Sequence, residues 1–196
     1  IEVTDDPDVE VRSSAIAALG YVGADANEAV PALASALQRE TPSLKVLVVR
    51  ALRSMGPRAR VAAGALAPLL ADRSDPALRK EAMLALADIG EVPKGHLGSF
   101  LEALEDYDVP VSGTSSGTGL AGRVMRRAGR QLFTPLVELS HAGEEADRRR
   151  AVWAMGLAPT TGPYIAVLTR FLEDESAPIR AVAARALAEH GRAASS

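Results

Sequence analysis

The stretch that decides the fold runs from Asp6 to Gly23 and reads DPDVEVRSSAIAALGYVG. Versions of it recur as SDPALRKEAMLALADIG at 74–90 and as SAPIRAVAARALAEHG at 176–191. The basic residue after the start signal recurs at spacings of 33, 34, 69 and 32 residues, as Arg12, Lys45, Arg79, Arg148 and Arg180. A period of this length indicates a repeat architecture, and the gap of 69 residues holds two periods.

Each copy carries the apolar stripe of one helix. Apolar residues stand three and seven positions after the basic residue, which places both on one helical face. They are Ala15 and Leu19, Val48 and Leu52, Ala82 and Leu86, Ala151 and Met155, and Ala183 and Leu187. The stretch therefore predicts the first helix of each repeat unit.

The ends of these helices carry capping signals. An Asp or Thr directly before a proline is expected to cap the N-terminus, at Asp6, Thr41 and Asp75. Ala177 cannot cap, so Ser176 or Glu175 is expected to serve instead. In four of the five copies a glycine stands where the helix needs a left-handed C-terminal residue, at Gly23, Gly56, Gly90 and Gly191, whereas the copy after Arg148 has Pro159 there.

A second helix follows each first helix, and the pairs divide the chain into about six units. Second helices are expected near 28–39, 58–71, 95–105, 131–140 and 162–172. The second of these should be kinked or broken, because it contains Gly64 and Pro68. The predicted units are 5–40, 41–73, 74–107, 108–142, 143–174 and 175–196, the last without a second helix. Because the chain begins at Ile1 rather than Met, we expect it to be part of a longer protein.

The three quoted segments resemble the HEAT repeat family, in the short form seen in phycobilin-lyase-type HEAT-like proteins. The resemblance covers five of the six units and implies an all-α fold, a right-handed α-solenoid. It implies first helices on the convex side and second helices along the concave side. It also implies a structural ladder of Asp and Arg residues that bond between units: Asp6, Arg12, Asp75, Arg79, Arg148 and Arg180. Stacking is required physically as well, because one helical hairpin cannot bury its stripe alone.

Composition narrows the class of protein. Of the 196 residues, 47% are hydrophobic but only 4% are aromatic, so the core is expected to consist of Ala, Leu and Val. The net charge of −3 makes nucleic acid an unfavoured partner. The absence of cysteine excludes disulfides without fixing the compartment, for which we favour the cytoplasm. No apolar run approaches the roughly 18 residues of a membrane span, so no membrane insertion is expected.

The fourth unit departs from the repeat. Residues 112–119 read SGTSSGTG, which predicts a mobile loop where a first helix should begin. A helix is expected to resume near Leu120 and to run to about Ala128, before the separate second helix. Four arginines stand at a spacing that shares one helical face: Arg123, Arg126, Arg127 and Arg130.

Two interpretations of these arginines stay open. From Leu120 to Arg150 the chain holds seven Arg against four acidic residues, a local net charge of +3. The first interpretation is an anion site for phosphate, a nucleic acid backbone or an acidic segment of a partner. The second is a solvated helix face whose arginines pair with acids on adjacent units.

Trp153 is the only tryptophan and a candidate interaction residue. The repeat register aligns it with positions that hold Ala17, Arg50, Leu84 and Arg185. Because a position that accepts both Arg and Ala is not typical of a core, Trp153 and Leu84 are predicted to be exposed and available to a partner. The alternative is that Trp153 covers the irregular junction left by the fourth unit.

Motifs that suggest chemistry are incomplete. Residues 113–117 match the letters G-x-S-x-G, but no strand pattern precedes them. Residues 117–124 have P-loop glycine spacing, with Arg123 and Val124 in place of Lys and Ser/Thr. The histidines form no metal-binding motif, and the last two of them suit a helix C-terminus: His96, His141 and His190. We therefore expect no enzyme activity, no cofactor and no metal.

The sequence thus predicts a class of function. The leading hypothesis is a non-catalytic scaffold that binds another protein through the solenoid surface, or a subunit of a larger assembly. The alternative is a binder of an anionic ligand or nucleic acid backbone through the helix Arg123–Arg130. A bilin-lyase-like or other HEAT-based enzyme, such as a DNA-repair glycosylase, is a remote alternative that the resemblance alone does not imply.

Overall fold

The computed structural model describes residues 5–23, 28–108, 119–158 and 162–194. Within these ranges the regular structure is helical, with no β-strand, which confirms the all-α prediction. The ten α-helices of these ranges are α1 (Val9–Val22), α2 (Val30–Arg39), α3 (Pro42–Met55), α4 (Ala63–Leu66), α5 (Pro76–Ile89), α6 (Leu97–Tyr107), α7 (Leu120–Ala142), α8 (Glu145–Leu157), α9 (Gly162–Arg170) and α10 (Ala177–Ala194). Short 3₁₀ segments lie at Gly56–Ala62, Ala67–Leu70, Lys94–His96 and Phe171–Glu173.

The predicted N-terminal caps form in part. Asp75 caps α5, because its Oδ1 accepts the backbone N–H of Leu78 at 3.0 Å. At α1 the prediction of Asp6 is wrong: the cap is Asp8, whose Oδ1 accepts from the N–H of Glu10 at 2.7 Å. The helix begins later than expected because Asp8 competes successfully for the capping role, while Asp6 accepts from the N–H of Asp8. Thr41 occupies the cap of α3 without a side-chain capping bond.

Three of the four predicted C-terminal glycines have a positive φ, and one of them, Gly90, has the left-handed helical conformation, with ψ 26°. Gly23, Gly56 and Gly90 have φ values of 61°, 56° and 74°. The prediction for Gly191 is wrong, because α10 continues through it to Ala194. The alanines that follow Gly191 are strong helix formers, so continued helical hydrogen bonding replaces a cap there.

The chain forms two compact units, Ile1–His96 and Leu97–Ser196, here called unit 1 and unit 2. In unit 1, α3 packs between α1 and α5, and α2 packs against α3 and α4. The predicted break in the second helix is confirmed, because the segment from Gly56 to Leu70 is a 3₁₀ segment, the four-residue α4 and a second 3₁₀ segment. The division of the chain into six repeat units and the handedness of a solenoid stay predictions.

In unit 2, α8 packs against α7 and α10, α6 contacts α7 and α8, and α9 packs on α10. The expected separate helices at 120–128 and 131–140 are instead one continuous helix, α7, of 23 residues. The reason is an unbroken apolar face at helical spacing: Ala121, Met125, Ala128, Leu132 and Leu136 are all buried. The predicted loop at 112–119 lies outside the described residues except for Gly119, which precedes α7.

Candidate partner-binding site

Two pairs of neighbouring first helices contact each other closely at a glycine. In unit 2, a Cβ atom placed on Gly156 of α8 would lie 2.6 Å from the Cβ of Ala186 on α10. In unit 1, a Cβ atom placed on Gly20 of α1 would lie 3.3 Å from the Cβ of Ala51 on α3. Both glycines stand eight positions after the repeat's basic residue, and both alanines six positions after it. The repeat register therefore builds the same helix crossing in each unit.

An open cleft lies beside each crossing. The Trp153 cleft, between α8 and α10, has a volume of about 150 Å³. Its walls include Arg149, Trp153, Leu157, Val182, Arg185 and Glu189. The Ala17 cleft, between α1 and α3, has a volume of about 240 Å³. Its walls include Ile16, Ala17, Tyr21, Leu47, Arg50 and Ser54.

The register aligns the two clefts position by position. Trp153 stands where Ala17 does, and Leu157 stands where Tyr21 does. On the opposite walls, the aligned pairs are Val182 with Leu47, Arg185 with Arg50, and Glu189 with Ser54. The two clefts are thus the same place in the repeat with different side chains.

Trp153 and Leu84 are both half-buried. Trp153 lies in the wall of a cleft whose described lining residues belong to α6, α8 and α10. Leu84 lies on α5, in unit 1. The structure therefore does not bring the two predicted anchor residues together within one unit, and only Trp153 lines one of the two clefts.

Ion pairs hold one rim of the Trp153 cleft. Glu105, which also lines the cleft, accepts from Arg149 Nη2 at 2.8 Å and from Arg150 Nε at 3.1 Å. Arg150 also contacts Glu102 at 3.3 Å and Asp147 at 3.2 Å. Burial disfavours the charged form of Arg150, but the hydrogen bond to Glu105 and the nearby carboxylates together raise its pKa above the ordinary value. The bond to Glu105 therefore joins two residues that both line the cleft.

Two of the implied ladder arginines bind a carboxylate near the end of their own predicted unit. Arg12 binds Glu40, with Nε 2.8 Å from Oε1, and donates from Nη1 to the carbonyl oxygen of Asp6 at 2.7 Å. Arg148 pairs with Asp174 through Nη2 and donates from Nε to the carbonyl oxygen of Ser140 at 3.3 Å. The carboxylates that pair with these two arginines are thus Glu40 and Asp174, which stand just before the next unit, rather than the repeated aspartates before proline.

The other two ladder arginines bind backbone carbonyls. Arg79 is buried and donates from Nε to the carbonyl oxygen of Leu70 at 2.7 Å. Arg180 donates from Nη1 to the carbonyl oxygens of Asp174 and Glu175, at 2.7 and 2.9 Å. Arg180 and Arg12 thus share one geometry: in each, Nη1 binds the backbone carbonyl oxygen of the residue six positions earlier, in the turn before the helix.

The predicted arginine cluster separates into two groups. Arg148, Arg149 and Arg150 of α8 are half-buried and ion-paired. The four arginines of α7 are all exposed: Arg123, Arg126, Arg127 and Arg130. The four share the solvent-facing side of α7, opposite its buried apolar face, which is the arrangement that their spacing predicts.

The histidines lie apart from one another. His190 is buried, and its Nε2 lies 3.1 Å from the carbonyl oxygen of Met155 in the last turn of α8. His141 is next to the end of α7 and stacks on Phe171 with ring centroids 5.2 Å apart. No cluster of three metal-ligating side chains occurs in the described ranges. The G-x-S-x-G letters at 113–117 fall outside those ranges.

Sequence reasoning missed several residues of the clefts. Tyr21 is 93% exposed, and its alignment with Leu157 was a signal that could have been read. Glu105 carries no signal in the sequence, because its partners Arg149 and Arg150 are 44 and 45 residues away. None of the described helices combines the length and the hydropathy needed to cross a lipid bilayer.

Comparison with known protein families finds a match in the first part of the chain. A family model described as HEAT repeats matches residues 1–87. No curated protein matches the chain. Among solved structures, an engineered protein is 19% identical, with 97% of this chain and 94% of that chain covered and a TM-score of 0.47. A designed armadillo repeat protein in complex with the peptide (KR)4 is 18% identical, with 96% and 97% covered and a TM-score of 0.43. The matched range contains the first of the three quoted segments and most of the second, and over that range the match confirms the resemblance to HEAT repeats.

Proposed function

We propose that this protein is a non-catalytic scaffold that binds another protein, and that the Trp153 cleft receives an apolar side chain of that partner. The observation that carries the proposal is the position of the chain's only tryptophan, half-buried in the wall of an open cleft. The aligned positions of other repeats hold Ala17, Arg50, Leu84 and Arg185. Tryptophan is strongly enriched among the residues that dominate binding energy at protein interfaces.

The size of the cleft favours a side chain over a cofactor. Its volume is about 150 Å³. Sites for small molecules and cofactors usually measure about 300–1,000 Å³. A single apolar side chain of a partner is therefore the occupant that the Trp153 cleft suits best.

The rim of the cleft carries charges of both signs. Arg149, Arg185, Glu105 and Glu189 line the cleft together with the apolar side chains of Trp153 and Leu157. An apolar centre with a polar rim is the usual anatomy of a protein interface. We expect the partner to present an apolar anchor flanked by polar or charged residues, either as a free protein or as a neighbouring subunit of a larger assembly.

The test uses a displayed library of random peptides selected on the purified protein. The selected peptides should contain an apolar anchor, and Trp153→Ala should weaken their binding by at least about thirtyfold. The matched control is Tyr21→Ala, which removes an exposed aromatic side chain from the aligned cleft of unit 1. Binding that Trp153→Ala leaves unchanged, or that Tyr21→Ala weakens equally, would contradict the proposal. Circular dichroism of both variants checks that they fold.

A further inference from the structure

One surface of the protein remains outside the proposed function: the exposed side of α7. Its arginine stripe consists of Arg123, Arg126, Arg127 and Arg130, all exposed. The first and the last are seven residues apart, so the stripe extends roughly 10 Å along the helix axis. The opposite side of α7 is held in the core of unit 2, which fixes the direction in which the stripe faces.

The charge of α7 differs from that of the protein as a whole. The helix holds four Arg and a single acidic residue, Glu138, whereas the full chain has a net charge of −3. Like charges three and four residues apart on a helix repel by a few tenths of a kcal/mol per pair. An acidic ligand would offset that repulsion, so the stripe binds an anion more favourably than the same arginines spread over the surface would.

The arginines of α8 differ from the stripe in burial, because they are half-buried at contacts between helices of unit 2. Arg149 and Arg150 meet Glu105 across the helix interface, and Arg148 meets Asp174. Unit 2 thus supplies carboxylates within hydrogen-bond distance where arginines are half-buried. The stripe on α7 stays on the solvent side, where an external chain can reach all four guanidinium groups at once.

We infer that the arginine stripe binds an acidic segment of a partner protein. Guanidinium groups bind carboxylates with paired, charge-assisted hydrogen bonds. Single-stranded nucleic acid binding usually requires aromatic side chains on which the bases stack. The only aromatic ring of α7 other than the His141 imidazole is Phe133, which is half-buried against Tyr164 with ring centroids 4.9 Å apart. The stripe therefore has the chemistry for carboxylates without the stacking platform for bases.

The test is a binding titration with two probes of equal net charge, a polyglutamate peptide and a single-stranded oligonucleotide. The stripe variant is Arg123→Gln/Arg130→Gln. The control variant is Arg58→Gln/Arg60→Gln, which removes two exposed arginines from unit 1 and changes the net charge by the same amount. We expect the stripe variant to bind polyglutamate about tenfold or more weakly, and the control to bind it like the original protein. Affinity for the peptide should fall steeply with salt.

Three results would overturn the inference. They are no binding of polyglutamate by the original protein, equal weakening by the stripe and control variants, and tighter binding of the oligonucleotide than of the peptide. Trp153→Ala should leave polyglutamate binding unchanged, so the failure of the stripe and the failure of the Trp153 cleft are distinguishable. Circular dichroism of each variant verifies that loss of binding is not loss of fold.

Discussion

The Trp153 cleft and the Ala17 cleft occupy the same place in the repeat but present different surfaces. The positions that set the helix crossing are equivalent in both, Gly156 against Ala186 and Gly20 against Ala51. The positions that line the clefts differ, with Trp153 in unit 2 where Ala17 stands in unit 1. Within the lining of each cleft, the glycine and the alanine at the helix contact are the same, whereas larger differences occur at neighbouring positions such as Trp153 and Ala17.

The largest effect is expected at the anchor itself. Trp153→Ala should weaken binding of a peptide selected on the cleft by at least about thirtyfold, since interface anchors of this kind contribute about 2 kcal/mol or more. Trp153→Phe keeps an aromatic ring and should cost only about threefold. Isothermal titration calorimetry measures both. Equal losses for the two variants would show that the aromatic surface of Trp153 is not the anchor.

The next largest effect is expected when the glycine at each helix crossing is replaced by alanine. Gly156→Ala places its Cβ 2.6 Å from the Cβ of Ala186 and 2.9 Å from its Cα, so the two helices must move apart. Such overpacking costs about 1–3 kcal/mol, against a gain of about 0.5–1 kcal/mol from replacing glycine in a helix. Gly20→Ala meets Ala51 at 3.3 Å, and a small shift accommodates it.

We therefore expect Gly156→Ala to lower the free energy of unfolding by about 1 kcal/mol or more, and Gly20→Ala to change it by less than about 0.5 kcal/mol. Urea unfolding monitored by circular dichroism measures the loss of helix in both units. Fluorescence reports unit 2, because the only tryptophan lies there. Equal destabilisation by the two substitutions would mean that the crossings are not as different as the distances indicate.

The smallest effect concerns the ion pairs beside each cleft. Glu105→Gln weakens the bonds to Arg149 and Arg150, and should lower the free energy of unfolding by about 1 kcal/mol. Glu81→Gln is the matched change in unit 1, where Glu81 meets Arg50 and Arg53. Its effect should be about half as large, because Arg50 is 59% exposed and its lost partner is replaced by water.

High salt should shrink both effects in urea unfolding, since partly exposed pairs are screened. A salt-independent loss for Glu105→Gln would instead assign its effect to packing.

Helix ends that depend on a few neighbouring residues were predictable from the sequence. Asp75 caps α5 and Gly90 ends it, because a cap and a left-handed residue depend on a few neighbouring positions. Where two local signals compete, sequence alone did not decide between them. Asp6 and Asp8 both suit an N-cap, and the structure selects Asp8. The single helix α7 was missed because its apolar face, held against neighbouring helices of unit 2, outweighs the glycine at position 129.

The candidate site was predictable only in part. The repeat alignment singled out Trp153, because it stands at a position that holds Ala17 and Arg50 in other copies, and such a position is not typical of a core. The cleft itself was not predictable, because its second wall comes from Val182 and Arg185, about one repeat further along the chain. Side-chain contacts of that range depend on how two helices cross, which the spacing of residues within one helix does not determine.

The central claim is that a partner's apolar side chain occupies the Trp153 cleft, and acrylamide quenching of Trp153 fluorescence tests it most directly. The signal has one source, because the chain has no other tryptophan. In the free protein the half-buried indole should be quenched, and a saturating selected peptide should reduce that quenching markedly in both the original protein and Tyr21→Ala. Saturation by the peptide with no change in quenching would contradict the claim, because the peptide would then bind away from the cleft.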